Sequence, residues 1–166
     1  MRDRPDYSAY VAERSPRLLR TAYLLCRDQA LAEDLLQTAL VKAWRCWRRI
    51  EGDPDPYVYR ILVNTNATWR RRRWRGEDVR DVPEIAAPGD ATSAADNRAM
   101  LWAALGRLPP RQRAVLVLRY FEDLTESRVA EIMGCSTGTV KSQTSKALAK
   151  LRIDPVIAAS VTAERN

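Results

Sequence analysis

The stretch LTESRVAEIMGCSTGTVKSQTSKALAKLR, from Leu124 to Arg152, has the pattern of two helices separated by one tight turn. Thr125 and Ser136 are residue types that cap helix N-termini, because a side-chain oxygen can accept a free backbone N–H there. Gly134 lies between the two helices and can adopt the left-handed backbone conformation that a tight turn requires. The stretch therefore predicts a helix-turn-helix, with an ordinary helical hairpin as the alternative.

The spacing within this stretch favours a motif that binds duplex DNA. Ala130 is small enough to let the two helices approach, and Val140 is placed to fill the gap between them. In such a motif the second helix enters the major groove, where lysine can bond to guanine and hydroxyl groups to phosphates. The residues expected to contact duplex DNA are Ser136, Thr137, Thr139, Lys141, Ser142, Ser145 and Lys146.

Helical periodicity extends over most of the remaining chain. Apolar side chains recur at three- and four-residue intervals over residues 18–26, 35–47 and 58–67, which predicts three more helices. In the second of these, Trp44 and Trp47 both fall on the inward face. Pro16 is expected in the first turn of the first helix, the position that tolerates proline. We therefore predict an all-α fold with two small helical domains.

A segment of different composition separates the two domains. Residues 76–96 contain two prolines, two glycines, no aromatic residue and an excess of acidic side chains, which predicts a flexible acidic linker. The first domain then covers residues 1–75, and the second, with the helix-turn-helix, covers residues 97–153. Residues 154–166 form a short tail.

Composition restricts the classes of function. The 166 residues carry a net charge of +7, which suits a nucleic acid or another anionic partner. No apolar run approaches the roughly 20 residues that span a bilayer, and the N-terminus lacks a signal-peptide pattern, so we expect a cytoplasmic protein without a membrane partner. With no histidine and three scattered cysteines, we expect no metal site, no cofactor and no enzymatic activity. A nuclease would need clustered carboxylates or a histidine base.

The run TWRRRRWR, Thr68 to Arg75, places four consecutive arginines between two tryptophans. On a helix these arginines point to several sides, which suits contact with a phosphate backbone. Two tyrosines, an arginine and an asparagine lie within two turns upstream, and aromatic groups beside arginines are typical of single-strand binding. The candidate residues for opened DNA are Tyr57, Tyr59, Arg60, Asn64, Arg70, Arg71, Arg72 and Arg73.

Three segments in this order resemble a bacterial RNA polymerase sigma factor of the extracytoplasmic-function (ECF) type, in the sigma-70 family, and more narrowly the actinobacterial SigE-like group. AEDLLQTALVKAWR is similar to the family's core-binding helix, and YVYRILVNTNATWRRRR to its minus-ten reading segment. LPPRQRAVLVLRYFEDLTESRVAEIMGCSTGTVKS is similar to its minus-thirty-five domain. The resemblance extends from Tyr7 to Arg152.

The resemblance implies a factor that binds core polymerase, directs it to promoters and helps to open promoter DNA. Asp34 and Gln37 match residues that contact the clamp helices of the polymerase's largest subunit, and Arg45 and Arg48 extend that contact. The family's second domain also meets the polymerase's beta flap. A dedicated anti-sigma factor is a further candidate partner.

The resemblance also assigns roles to the DNA-binding candidates. Asn64 matches a residue that helps to form a pocket for a flipped base, and Tyr57 and Tyr59 match strand-separating aromatics. Arg60 and the arginine run would hold the strand's phosphates. Lys141, Ser142, Ser145 and Lys146 match the residues that read the minus-thirty-five element.

A stand-alone helix-turn-helix regulator of transcription is the alternative function. It would account for residues 97–152, but it leaves the first domain and the arginine run unexplained.

Overall fold

A computed structural model describes residues 4–74 and 102–151, and within these two ranges the chain forms helices and turns but no strand. The helices are α1 (Arg4–Cys26), α2 (Gln29–Cys46), α3 (Asp55–Trp74), α4 (Pro110–Leu116), α5 (Glu126–Met133) and α6 (Thr137–Leu151). A 3₁₀ turn, Trp47–Arg49, follows α2, and residues 102–107 are also helical. The predicted linker, the boundaries at residues 97 and 153 and the tail lie outside the described residues.

Helices α1, α2 and α3 form the N-terminal block, residues 4–74. The chain reverses between α1 and α2 at Arg27, which adopts a left-handed conformation (φ 61°). Asp28 then caps α2, since its carboxylate accepts the backbone N–H of Leu31 at 3.0 Å. The apolar faces predicted from the sequence meet in a common core. Its buried members include Leu18, Ala22, Leu25, Ala32, Leu35, Leu36, Ala39, Leu40, Ala43, Val58 and Leu62.

Helix α1 begins twelve residues before Pro16, so the prediction that Pro16 lies in a first turn is wrong. An interior proline removes one helical hydrogen bond, which tertiary contacts on its N-terminal side must offset. Tyr7 supplies one such contact, because its hydroxyl donates to the Leu40 carbonyl at 2.7 Å. Tyr10 supplies another by donating to the Asp55 carboxylate at 2.8 Å. These long-range contacts hold the first three turns of α1 in place.

Helices α5 and α6 form the predicted helix-turn-helix. Thr125 caps α5 by accepting the Arg128 N–H at 3.2 Å, and Ser136 accepts the Thr139 N–H at 3.1 Å at the start of α6. Gly134 ends α5 in the left-handed conformation, with φ 64°. Val140 is fully buried between the helices. The capping and turn predictions are confirmed.

Helix α4 does not continue regularly to the helix-turn-helix. After Leu116 the chain widens into a π-helical turn, Val117–Phe121, in which the Glu122 N–H bonds to the Val117 carbonyl at 3.0 Å. Glu122 follows this turn and is only 2 % exposed. Wide turns of this kind are rare and frequently occur at functional positions.

The C-terminal block, residues 102–151, packs directly on the N-terminal block. The apolar residues of the two blocks belong to one hydrophobic cluster, in which Leu105 and Val117 are as deeply buried as Leu18. Arg113 crosses the boundary by donating to the Leu25 carbonyl at the end of α1, at 3.0 Å. Burial, reinforced by the positive charges of Arg70 and Arg27, lowers the pKa of Arg113 to about 9.

Candidate functional site

A stripe of exposed polar side chains runs along α2 and the turn that follows it. Asp34, Gln37, Arg45 and Arg48 are all exposed, as expected for residues that bind a partner. Their spacing brings them to one side of the helix, because residues three or four positions apart share a face. The structure thus brings together the four residues predicted to contact the polymerase.

Two large apolar side chains interrupt this polar stripe. Among the described residues, Val41 (50 % exposed) and Trp44 (40 % exposed) are the large hydrophobic side chains that stay exposed. The prediction that Trp44 faces inward is wrong: its ring lies against Tyr7 with centroids 4.9 Å apart, while Trp47 takes the buried position. Sequence reasoning also missed Val41, although its place four residues after Gln37 and four before Arg45 puts it on the stripe.

A second exposed face lies on α3. Tyr57, Arg60 and Asn64 follow one another at intervals of three and four residues, and Arg60 and Asn64 are exposed. Tyr57 and Arg60 line a cleft of ≈ 530 Å³, together with Asp53 and Arg128. The cleft is bordered on one side by the N-terminal block and on the other by α5. Asn64 does not line it.

Tyr59 does not share that exposed face. Its ring is 2 % exposed and its hydroxyl donates to the Glu122 carboxylate at 2.7 Å. Burial, followed by the negative charge of Glu122, raises the pKa of the Tyr59 hydroxyl. The sequence grouped Tyr59 with the aromatics expected to contact opened DNA, but its ring is buried rather than exposed.

The arginine run divides into inward and outward members. Arg70 is partly buried and donates to the Leu25 carbonyl at 3.2 Å, and its burial lowers its pKa. Arg71 and Arg72 are exposed, and Arg73 is partly exposed. Trp69 packs against the core. The accessible cationic surface is therefore centred on Arg71 and Arg72.

The exposed face of α6 carries the predicted duplex-binding residues. Ser136, Thr137, Lys141, Ser142, Ser145 and Lys146 are exposed, and Thr139 is partly exposed. The Lys141 ammonium lies 3.8 Å from the Glu126 carboxylate, a loose and exposed pairing that a DNA contact could replace. The hydroxyl of Ser136 caps α6 by accepting the Thr139 N–H, and its own O–H can still donate to a phosphate.

The described residues contain neither a metal-binding cluster nor a membrane-spanning helix. No group of three or more histidine, cysteine or acidic side chains in residues 4–74 and 102–151 is arranged to hold a metal ion. In the same ranges no helix is both long and apolar enough to cross a membrane.

Both blocks match models of known protein families. Residues 10–76 match the model described as Sigma-70 region 2, and residues 98–151 match Sigma-70, region 4. The RNA polymerase sigma-E factor of Streptomyces coelicolor is 39 % identical over 153 residues, which cover 89 % of this chain and 84 % of that protein. The chain belongs to the sigma-70 family.

A second relative specifies the group within this family. The ECF RNA polymerase sigma factor SigE of Mycolicibacterium smegmatis is 32 % identical over 157 residues, covering 89 % of this chain and 61 % of that protein. The chain is thus an ECF-type RNA polymerase sigma factor of the SigE-like actinobacterial group, a transcription initiation factor. The match of the N-terminal block to region 2 accounts for the part of the chain that a stand-alone regulator left unexplained.

A solved structure has the same fold. The sigma factor RpoE from Bartonella quintana, crystallised with the anti-sigma factor NepR, superposes with a TM-score of 0.72 at 27 % identity. The match covers 89 % of this sigma factor and 94 % of that chain. Region 2 therefore corresponds to α1–α3, and region 4 to the block that contains the helix-turn-helix.

Proposed function

We propose that this sigma factor docks on core RNA polymerase through the α2 stripe, which we define as Asp34, Gln37, Val41, Trp44, Arg45 and Arg48. The exposed Val41 and Trp44 are the observation that carries this assignment. Exposed apolar groups rimmed by polar ones mark protein interaction sites, and tryptophan and arginine are enriched at the residues that dominate binding energy. The clamp helices of the largest subunit are the partner that the sigma-70 family implies for this helix.

The DNA-binding roles divide between the two blocks. The exposed face of α3, with Tyr57, Arg60 and Asn64, would bind the opened minus-ten element, and Arg71 and Arg72 would hold the strand's phosphates. The exposed face of α6, with Lys141, Ser142, Ser145 and Lys146, would read the minus-thirty-five element in the major groove. Binding energy at these two surfaces, rather than catalysis by the chain itself, would select and open the promoter.

Other partners follow from the same proposal. The C-terminal block would meet the beta flap of polymerase, and the factor would act in the cytoplasm. An anti-sigma factor is a candidate regulator, since the sigma factor from Bartonella quintana with the same fold binds one.

The α2 stripe is tested by two substitutions of different chemistry. Replacing Asp34 and Gln37 together with alanine should weaken binding to core polymerase by at least about 2 kcal/mol, roughly thirtyfold. Val41→Glu should weaken it similarly, because a charge would enter the apolar centre of the contact. Co-purification with core polymerase and promoter-dependent run-off transcription provide the readouts.

Glu13→Ala is the matched control, because Glu13 is an exposed carboxylate on α1, outside the stripe. Circular dichroism establishes that each variant keeps its helical content. If folded stripe variants bind polymerase as the control does, the docking surface lies elsewhere on the molecule.

A further inference from the structure

Four glycines lie within residues 4–74 and 102–151, and the fold accounts for three of them. Gly52 and Gly134 adopt left-handed backbone conformations, with φ of 70° and 64°, which other residues rarely tolerate. A Cβ atom on Gly106 would overlap the Arg27 guanidinium, so the packing there leaves no room for a side chain. Gly138, in the first turn of α6, is the glycine for which the fold gives no such reason.

The protein itself does not require a glycine at position 138. The backbone of Gly138 is not left-handed, and a Cβ atom there would meet only the Ser136 hydroxyl oxygen, at an ordinary contact distance of 3.7 Å. Glycine is also one of the least favourable residues in a helix. Because alanine would fit and would favour the helix, a glycine at this position points to a requirement from outside the chain.

The position of Gly138 on α6 identifies where that requirement acts. Lys141, Ser142 and Ser145 follow it at offsets of three, four and seven residues, so they share its face of the helix. All four residues are exposed, whereas Val140 is buried on the opposite side. Gly138 is therefore the first residue of the face that is proposed to read the minus-thirty-five element.

Two of the side chains proposed to read bases on this face are short. A serine side chain ends at the atom after Cβ, so Ser142 and Ser145 can reach a base edge only if the α6 backbone lies close to the floor of the major groove. A side chain at position 138 would stand between α6 and the DNA one turn before Ser142. It would hold the backbone away from the groove and the two hydroxyls away from the bases.

We propose that Gly138 is a positioning residue that sets how deeply α6 enters the major groove of the minus-thirty-five element. Its missing side chain lets the first turn of α6 lie close to the groove, which brings Ser142 and Ser145 to base edges. The partner at this face is duplex DNA, because the exposed Lys141 and Lys146 give the face a positive charge. The proposal rests on the duplex-reading function proposed above for α6.

Gly138→Ala and Gly138→Leu test the proposal in the complex of the full-length chain with core polymerase. The probe is a fluorescein-labelled promoter duplex that the wild-type complex selects from a library randomised only in its upstream segment. Affinity for this probe, measured by fluorescence anisotropy, should fall roughly tenfold for Gly138→Ala and roughly a hundredfold for Gly138→Leu, the sizes expected for the loss of one and of two base contacts.

Two further measurements separate positioning from folding and from general DNA binding. The melting temperature of each free variant should match that of the wild-type chain or exceed it by up to about 3 °C, because alanine and leucine favour a helix more than glycine does. Affinity for the same duplex with its upstream segment shuffled should stay within about threefold of the wild-type value, because that probe offers no specific base contacts to lose.

The base pairs at which preference is lost provide another readout. Selection repeated with the Gly138→Leu complex should return probes whose preference is weakened most at the base pairs that Ser142→Ala also relaxes, because both changes withdraw the same contact. Preference retained in full at those base pairs would contradict the positioning role.

Ala103→Leu is the matched control, because it adds similar bulk at an exposed helical position of the C-terminal block outside α6. It should leave the affinity for the selected probe at the wild-type value. The proposal is overturned if the Gly138 variants bind the selected probe as the control does, if they lose the shuffled probe equally, or if Gly138→Ala lowers the melting temperature. A wild-type complex that selects no upstream sequence would instead refute the duplex-reading function of α6, on which the inference depends.

Discussion

At the scale of single residues, the four consecutive arginines from Arg70 to Arg73 have different roles. Arg70 donates to the Leu25 carbonyl, at the C-terminal end of α1, where the helix dipole favours a positive charge. Arg71 and Arg72 extend from the same helix into solvent. The run therefore combines a residue that stabilises the fold with residues that are available to DNA.

This division predicts separate effects of substitution. Replacing Arg71 and Arg72 with glutamine should weaken DNA binding by the polymerase complex regardless of sequence, and should reduce the slope of log affinity against log salt by about 1.4, since two phosphate contacts to a single strand are lost. Binding titrations at several salt concentrations measure both quantities.

Arg70→Gln provides the comparison for this pair. It should lower thermal stability because the Leu25 carbonyl loses a donor, and it should leave the salt slope nearly unchanged. An equal change of slope for Arg70→Gln and for the double variant would contradict the division of the run.

At the scale of whole elements, α1 contains a feature that local rules disfavour. Pro16 lies in its interior and is exposed, and it cannot donate to the carbonyl four residues earlier. The helix continues because Tyr7 and Tyr10 bond to Leu40 and Asp55, which belong to the two other helices of the block. Tertiary contacts here outweigh a local preference.

Pro16→Ala should therefore stabilise the chain. The restored helical hydrogen bond and the absence of ring strain gain up to about 3 kcal/mol, while the more flexible unfolded chain offsets about 0.4–1 kcal/mol of this. We expect a net gain of about 1–2 kcal/mol in the free energy of unfolding, measured by denaturant titration.

Ser8→Ala, another exposed substitution in α1, should change the same free energy by no more than about 0.5 kcal/mol. A Pro16→Ala variant no more stable than this control would show that the proline is not a defect in α1.

The helix-turn-helix could be predicted closely from sequence because its determinants are local. Thr125, Gly134 and Ser136 act on backbone groups within a few residues of themselves. The local sequence is therefore enough to predict the motif. The start of α1 and the exposure of Trp44 depend on packing partners elsewhere in the chain. The resemblance to the family predicted the polar members of the α2 stripe. Its apolar members were not predicted, because periodicity alone assigns apolar side chains to the core.

At the scale of the whole molecule, the two blocks are joined by contacts that sequence patterns do not reveal. Arg17 and Glu122 are 105 residues apart, and Arg113 and Leu25 are 88 apart. The burial of Glu122 could not be predicted either, because charged residues are normally assigned to the surface. The packing of one block on the other could therefore be found only from the structure.

Arg113 links the C-terminal block to α1 and also bonds to carbonyls within its own block. Its guanidinium donates to four backbone carbonyls, those of Leu25, Leu105, Gly106 and Leu108. Lysine cannot reproduce this fork, and burial would push its ammonium toward the neutral form. Arg113→Lys should destabilise the chain by about 2–4 kcal/mol and lower the melting temperature by roughly 5–15 °C in calorimetry.

Arg111→Lys, at an exposed position two residues earlier, is the control and should melt within about 2 °C of the wild-type chain. Equal melting temperatures for the two variants would show that the four carbonyls do not depend on Arg113.

If the factor docks through the α2 stripe as proposed, the apolar part of the stripe would make docking sensitive to temperature. Contacts made by Val41 and Trp44 would remove apolar surface from water, and the free energy gained in this way weakens on cooling. Docking through these apolar groups would therefore be weaker in the cold and stronger in the warm, without any change in the abundance of the factor.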